Sequence, residues 1–410
     1  MEKTNKKTDL KKPILSINQK IIFSFLLVFI FGLGLGAKAS AATKLDVTDQ
    51  GYIGKRIFAT DGTSLYGISS TNTQIYKYSA SDYSSVAGYD FGSGAIDRIF
   101  STSVTDRIFI VWKDTSNIYT LYRSTDGGAS VTPVCNLGYN SIDGHFANVT
   151  VLSRGFLEYD SSTYYFGEYN VNGTRISGST NDTVRIMKST DNGVTWTPVV
   201  TWNTNGANQV RHVHYVVKDP DIAGEIYIGT GDSAVQTGII KWDVATGVWS
   251  DNKTLTELGS ISGFTSLVGA MKYKGLDLLF SGNYIMTFAD DSTASESGIW
   301  RCTKDLNPAN YTSVDTQILS FPNRAGWTGL KTSSGNLIFA DQLGTTATDR
   351  QINIYSSSDG GNTWTIVGKY GVIAGTVSYL NVMELNGKIY LSEPGGGSAG
   401  KGAGGTAIVS

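Results

Sequence analysis

The 410-residue chain has only two cysteines, three histidines and seven prolines. Cys135 and Cys302 stand 167 residues apart. They cannot build the disulfide framework of a small secreted scaffold, and a chain this long can bury enough core without one. No C-x-x-C, H-E-x-x-H or P-loop string is present, and Gly396-Gly397-Ser398-Ala399-Gly400, which matches G-x-S-x-G, falls in a glycine-rich stretch and not in a strand-to-helix elbow. That removes the dithiol, zinc-protease, nucleotide and nucleophile-elbow chemistries those strings support. No segment after residue 42 repeats its apolar residues at helical period, which excludes a helix bundle. A basic excess is also missing. Residues 1–41 hold seven lysines, one glutamate and one aspartate. Without them the chain has 26 basic and 33 acidic residues, a net charge of −7. A net-acidic surface argues against a nucleic-acid partner and against an anionic membrane surface.

Glycine is plentiful, at 48 residues, well above the usual ~7%. Many short strands joined by glycine turns give this composition. The N-terminus has its own character. Lys3, Lys6, Lys7, Lys11, Lys12 and Lys20 precede an apolar run of 16 residues, 21–36, and Ala37-Lys38-Ala39 and Ala39-Ser40-Ala41 are small-x-small sites. That is the layout of a signal peptide, and the run is short for a bilayer span of ~20 residues. No cysteine near the cleavage region suggests a lipid anchor. The expected organisation is a signal peptide over 1–41 and one domain over 42–410. The expected destination is outside the cell, with the cell surface or periplasm as alternatives.

A short motif recurs three times, as Ser124-Thr125-Asp126-Gly127-Gly128-Ala129-Ser130-Val131, Ser189-Thr190-Asp191-Asn192-Gly193-Val194-Thr195-Trp196 and Ser357-Ser358-Asp359-Gly360-Gly361-Asn362-Thr363-Trp364. Each copy lies between two alternating apolar runs, so it reads as strand, tight turn and returning strand. Ser124, Asp126, Ser189, Asp191, Ser357 and Asp359 can bond turn amides. Gly128, Gly193 and Gly361 supply a positive φ. Trp196 and Trp364 start the next strand, with Val131 in their place in the first copy. Weaker copies surround Asp82, Asp243 and Asp305. The six aspartates are spaced 44 to 65 residues apart, about 55 on average, the size of a four-stranded propeller blade with variable loops.

The motif resembles the Asp box, or BNR repeat, of the sialidase-like β-propellers. The stretch Arg211 to Pro220 with Ile226 to Asp232 is similar to a segment of bacterial Asp-box propellers. The resemblance implies an all-β fold and aspartates that hold turns. Six turns, three further C-terminal strands and one strand just after the signal, near Leu45 to Thr48, give seven blades closed by that N-terminal strand. Six blades with a glycine-rich tail are the alternative.

In such a blade the turn joining strands one and two lies on the same side as the motif turns. The opposite face should carry the site. Several second strands end there in acids, of which Glu168, Asp232 and Asp341 are the candidate catalytic carboxylates. His145 and His212, His214 on one strand, with Arg211 beside them, are the candidate substrate-binding residues. At period 2 the side chains of His212 and His214 share a face. The expected function is binding or cleaving extracellular glycans, with a glycoside hydrolase-like site of two carboxylates. A non-catalytic carbohydrate-binding or adhesion module is the rival. A metal-assisted polysaccharide lyase is a third reading, with a divalent ion on His145, His212 and His214; otherwise no cofactor is expected. Sialidase chemistry fits poorly, because the family's Arg-Ile-Pro string is missing. The expected partner is extracellular carbohydrate, bound by a monomer with no membrane contact beyond the signal peptide.

Overall fold

Second strands such as Ile108-Phe109-Ile110-Val111 and Tyr164-Tyr165-Phe166 are apolar at consecutive positions, and all these side chains are buried. A strand reads this way when both faces of its sheet are covered. Neighbouring sheets supply the cover. The computed structural model describes residues 49–53, 56–140, 144–145, 149–171, 183–203, 210, 212–231, 238–249, 275–289, 297–304, 316–320, 324–343, 350–372, 381–392 and 406–409. The proposed signal peptide, Arg211, Asp232 and Asp305 lie outside the described residues.

Among the described residues, seven antiparallel sheets of four or more strands follow one another along the chain. Their first strands are Arg56–Thr60, Ala95–Ser101, Phe156–Glu158, His212–Lys218, Gly275–Ser281, Arg324–Lys331 and Asn381–Leu385. Most neighbouring first strands touch each other. Seven apolar clusters fill the gaps, each shared by two consecutive sheets. Phe109 and Val111 of the second sheet meet Tyr164 and Phe166 of the third. Ile338 and Ile354 of the sixth meet Val382 and Leu391 of the seventh. Ile57 and Leu65 of the first meet Met383 and Tyr390 of the seventh, which closes the ring. The protein is an all-β β-propeller. Its seventh sheet takes Asp49–Ile53 from the start of the described chain, paired with Thr406–Val409 near the C-terminus. The Leu45 to Thr48 stretch singled out in the sequence lies outside the described residues.

The motif aspartates Asp126, Asp191 and Asp359 all lie between the third and fourth strands of their sheets, as does Asp82, and Asp243 is the last residue of its sheet's third strand. One bonding scheme repeats. The serine hydroxyl donates to the aspartate, as Ser189 Oγ does to Asp191 at 2.8 Å, and accepts from the glycine amide, Gly193 N, at 2.9 Å. The aspartate accepts the amide and hydroxyl of Thr195 at 2.9 and 2.6 Å. The Asp126 and Asp359 turns repeat these contacts. Two successive residues take positive φ, Asn192 at 64° and Gly193 at 81°. Asparagine or glycine fits the first of these, since the left-handed region is costly for other side chains.

The glycine has a second duty. A Cβ on Gly193 would lie 2.2 Å from the Phe109 ring of the preceding sheet, and one on Gly361 would lie 2.3 Å from Met286 Sδ. Each turn therefore seats itself against the sheet before it. Trp196 adds to the same seam, its ring 4.8 Å from Phe166 and 6.0 Å from Phe109, with its Nε1 donating to Gly193 O at 3.2 Å.

Two outcomes follow. Gly193→Ala adds backbone strain to a clash with Phe109, and urea unfolding should show a loss of about 2–4 kcal/mol. The Asp191 carboxyl is held down at about 2 by the Thr195 hydroxyl, then by the Thr195 amide and Ser189. A depressed carboxyl contributes stability above its ordinary value and loses it as pH falls through the folded one. Urea titrations between pH 4 and pH 2 should show the native protein losing stability more steeply than Asp191→Asn.

Candidate functional site

Glu168 follows the second strand of the third sheet and is fully buried. Its two oxygens accept the amide of Arg185 at 3.0 Å, the Arg185 side chain through Nε at 2.9 Å and through Nη2, and the amide of Gly138 at 2.9 Å. Asp341 occupies the matching place in the sixth sheet. It is also fully buried, and accepts Asn353 N at 2.9 Å and Tyr355 OH at 2.7 Å. In both sheets the carboxylate bonds the backbone amide of the facing third strand. These are struts within a blade. Neither group meets solvent: each is bonded within its own sheet and not turned to an open face. Glu168 directly follows its strand, Tyr164–Gly167, whereas Asp341 lies within Leu337–Leu343. Sequence could not show that Arg185 and Asn353 stand opposite.

The histidines also sit differently. His212 and His214 are on the fourth sheet's first strand, as expected, but they are 1% and 0% exposed. They are not solvated residues at a strand entry. A bulge between Val213 and Tyr215 breaks the alternation that would have set both on one face. Their rings still lie near each other, 6.1 Å apart, and Tyr169 covers His212 at 4.2 Å. Tyr169–Asn170 and Val149–Thr150 extend the fourth sheet past this first strand. The Nδ1 of His214 bonds Gly275 O at 3.0 Å across to the fifth sheet. His145 does not enter the third sheet's first strand. It pairs with Tyr139 in a separate two-stranded ribbon. Among the described residues no group of three histidine, cysteine or acidic side chains is placed to hold a metal ion.

A cavity of about 540 Å³ opens elsewhere, along the first strands of the third to sixth sheets. Its lining includes Glu158, Lys218, Phe280 and Lys331 to Ser333. These residues lie where first strands turn into second strands, so the cavity is on the side of the aspartate turns. Glu158 is engaged from the second sheet, by Ser103 N at 2.6 Å and Ser103 Oγ at 2.8 Å. Glu384 of the seventh sheet holds Ser333 of the sixth in the same way, at 2.7 Å for each bond.

Arg154 lies deeper in this lining. Its Nε donates to Asp277 Oδ1 at 2.7 Å. Asp277 is fully buried and also accepts Leu278 N at 2.7 Å, Thr328 Oγ1 at 3.2 Å and Gly329 N at 2.8 Å. One carboxylate thus ties the segment before the third sheet to the fifth and sixth sheets. The sequence reading missed this group. The available signal was an aspartate inside the apolar run Leu276-Asp277-Leu278-Leu279-Phe280, a buried charge that needs a partner.

No family model and no curated protein matches the chain. Solved structures are similar in fold. A GH74 enzyme of Niastella koreensis aligns at 15% identity and a TM-score of 0.48, covering 78% of this chain and 46% of that one. The chain therefore spans less than half the length of that enzyme. YCF48 bound to D1 peptide aligns at 11% identity and a TM-score of 0.48, covering 91% of this chain and 98% of that one. YCF48 from Cyanidioschyzon merolae aligns at 12% and 0.44, covering 87% and 95%. At these values the likenesses say nothing of chemistry.

Removing the Glu168 strut should cost stability without touching a ligand. Glu168→Ala leaves the half-buried Arg185 without its counter-charge, with only Asn136 O at 3.1 Å still accepting from it, and urea unfolding should show a loss of about 3 kcal/mol. The folded fraction should bind any ligand as the native protein does.

Proposed function

We propose that this chain is a seven-bladed Asp-box propeller, exported and freed of residues 1–41, that binds extracellular glycans as a monomer without cleaving them. The observation that carries this reading over hydrolysis is the burial of Glu168 and Asp341 beneath their own blade partners. Two-carboxylate hydrolysis needs both groups at the scissile bond, roughly 5–10 Å apart in a cleft. Asp232 alone of the three candidate acids lies outside the described residues, and one acid does not make the pair. The His212 and His214 rings, covered by Tyr169, serve the seam between the fourth and fifth sheets in this reading. The axial cavity, by contrast, offers polar donors on a rigid frame, which is what a binding site requires.

The Asp-box assignment is supported by the repeated serine, aspartate and glycine bonding and by the tryptophan at the seam. Export is supported by the basic, apolar and small-residue order of the N-terminus. A glycan array, a reducing-sugar release assay and N-terminal sequencing test the proposal together. The expected outcome is glycan binding, no sugar release and a mature protein beginning between Ser40 and Thr43. Steady release of reducing sugar would replace the binding module with a hydrolase. An array with no bound glycan would remove the carbohydrate reading.

A further inference from the structure

We infer that the axial cavity on the side of the aspartate turns is an anion site, and that it takes a carboxylate or sulfate carried on a saccharide of one or two rings. The inference rests on the glycan-binding reading for the saccharide, and on the cavity's own chemistry for the anion. Three cations line it, Arg154, Lys218 and Lys331. The nearby acids are already engaged. Glu158 accepts two bonds from Ser103, and Asp277 is buried beneath Arg154.

The cations keep donors to spare. Asp277 takes the Nε side of Arg154, and no hydrogen bond from its two Nη atoms is made to the described residues. The Arg154 side chain remains 37% exposed. A guanidinium oriented by a buried carboxylate and open at its fork matches the two oxygens of a carboxylate or sulfate. Lys331 is exposed and makes no hydrogen bond or ion pair among the described residues. Lys218 gives one bond to Tyr159 O at 3.0 Å and sits 4.9 Å over the Tyr159 ring, which leaves two of its three donors.

The setting strengthens these charges. Beyond residue 41 the chain is net −7, yet this concave site gathers three positive groups. Against them stand Glu158 in the lining and Asp277 beneath Arg154, so the positive groups outnumber the acids by one, and a cleft with an excess of one sign between low-dielectric walls focuses the field. A volume of about 540 Å³ lies in the range of small-ligand sites. It holds a ring or two and is too small for a folded partner.

The test uses the purified protein and isothermal titration with three probes: a disaccharide bearing one glucuronate, the matched neutral glucose disaccharide, and inorganic sulfate. The expected result is binding of the acidic disaccharide, weakened by added salt and by competing sulfate, with the neutral sugar at least tenfold weaker. Lys331→Gln should weaken the acidic disaccharide about tenfold, the worth of one charge-assisted bond. The lysines are the informative positions, because an Arg154 variant would leave Asp277 buried without its partner. Equal affinity for the acidic and neutral disaccharides would overturn the inference. So would an acidic-disaccharide affinity unchanged by both Lys331→Gln and Lys218→Gln. If the array shows neutral glycans bound and Lys331→Gln changes nothing, the anion site falls while glycan binding stands. If the glucuronate disaccharide binds through Lys331 but no glycan on the array does, the anion site stands and the wider glycan role falls.

Discussion

The structure depends on one constraint: every sheet is apolar on both faces, so no blade is complete without the blades beside it. Phe109 is buried by residues of its own sheet and by Phe156, Tyr164 and Trp196 of the next. A buried side chain of this size is worth about 1.5–3 kcal/mol, and seven shared clusters repeat the arrangement around the ring. Close approach is then the limiting quantity. The positive-φ glycine of each aspartate turn permits it, because the missing Cβ is where the preceding blade's Phe109 or Met286 fits. The serine and aspartate hold the turn in the one shape that presents that bare Cα.

The same constraint sorts the charges. Glu168 and Asp341, on or just after second strands, are fully buried. Both meet this by bonding the amide of the facing strand and a side chain beside it. Charges on the first strands have an alternative, since those strands border the axis. Asp277 is sealed and Arg154 is half open, so the pair turns a buried cost into an oriented guanidinium. The polar groups available to a ligand are thus set by distance from the axis, and the outer strands add little to them.

The sequence carried the fold because its signals are local. Ser189, Asp191 and Gly193 act within five residues, and the run Ile108 to Val111 declares its own burial. A closing N-terminal strand was foreseen in kind, and Asp49–Ile53 pairs with Thr406–Val409 as such a strand does. The site was harder to read because its partners are remote. Arg154 and Asp277 are 123 residues apart, and nothing near either names the other. A bulge at His214 cannot be read from alternation, because alternation assumes there is none. His145 looked like a strand entry and belongs to a ribbon instead, since the third sheet begins only at Phe156.

The pairing of Asp49 with Val409 makes the two ends of the described chain each other's support. Thr406–Val409 is held on one side by Lys388–Ser392 and on the other by Asp49–Ile53. A ring clasped in this way cannot shut before residues 406–409 have been made. Six sheets can form as they emerge, but the clasp between the first and seventh waits for Thr406–Val409. Until then Met383, Leu385 and Tyr390 have no cover from Ile57 and Leu65. The clasp also makes the two ends unequal to the rest of the surface. A cut in a loop between blades leaves both halves gripped by their neighbours, whereas losing four residues at 406–409 unfastens the whole circle.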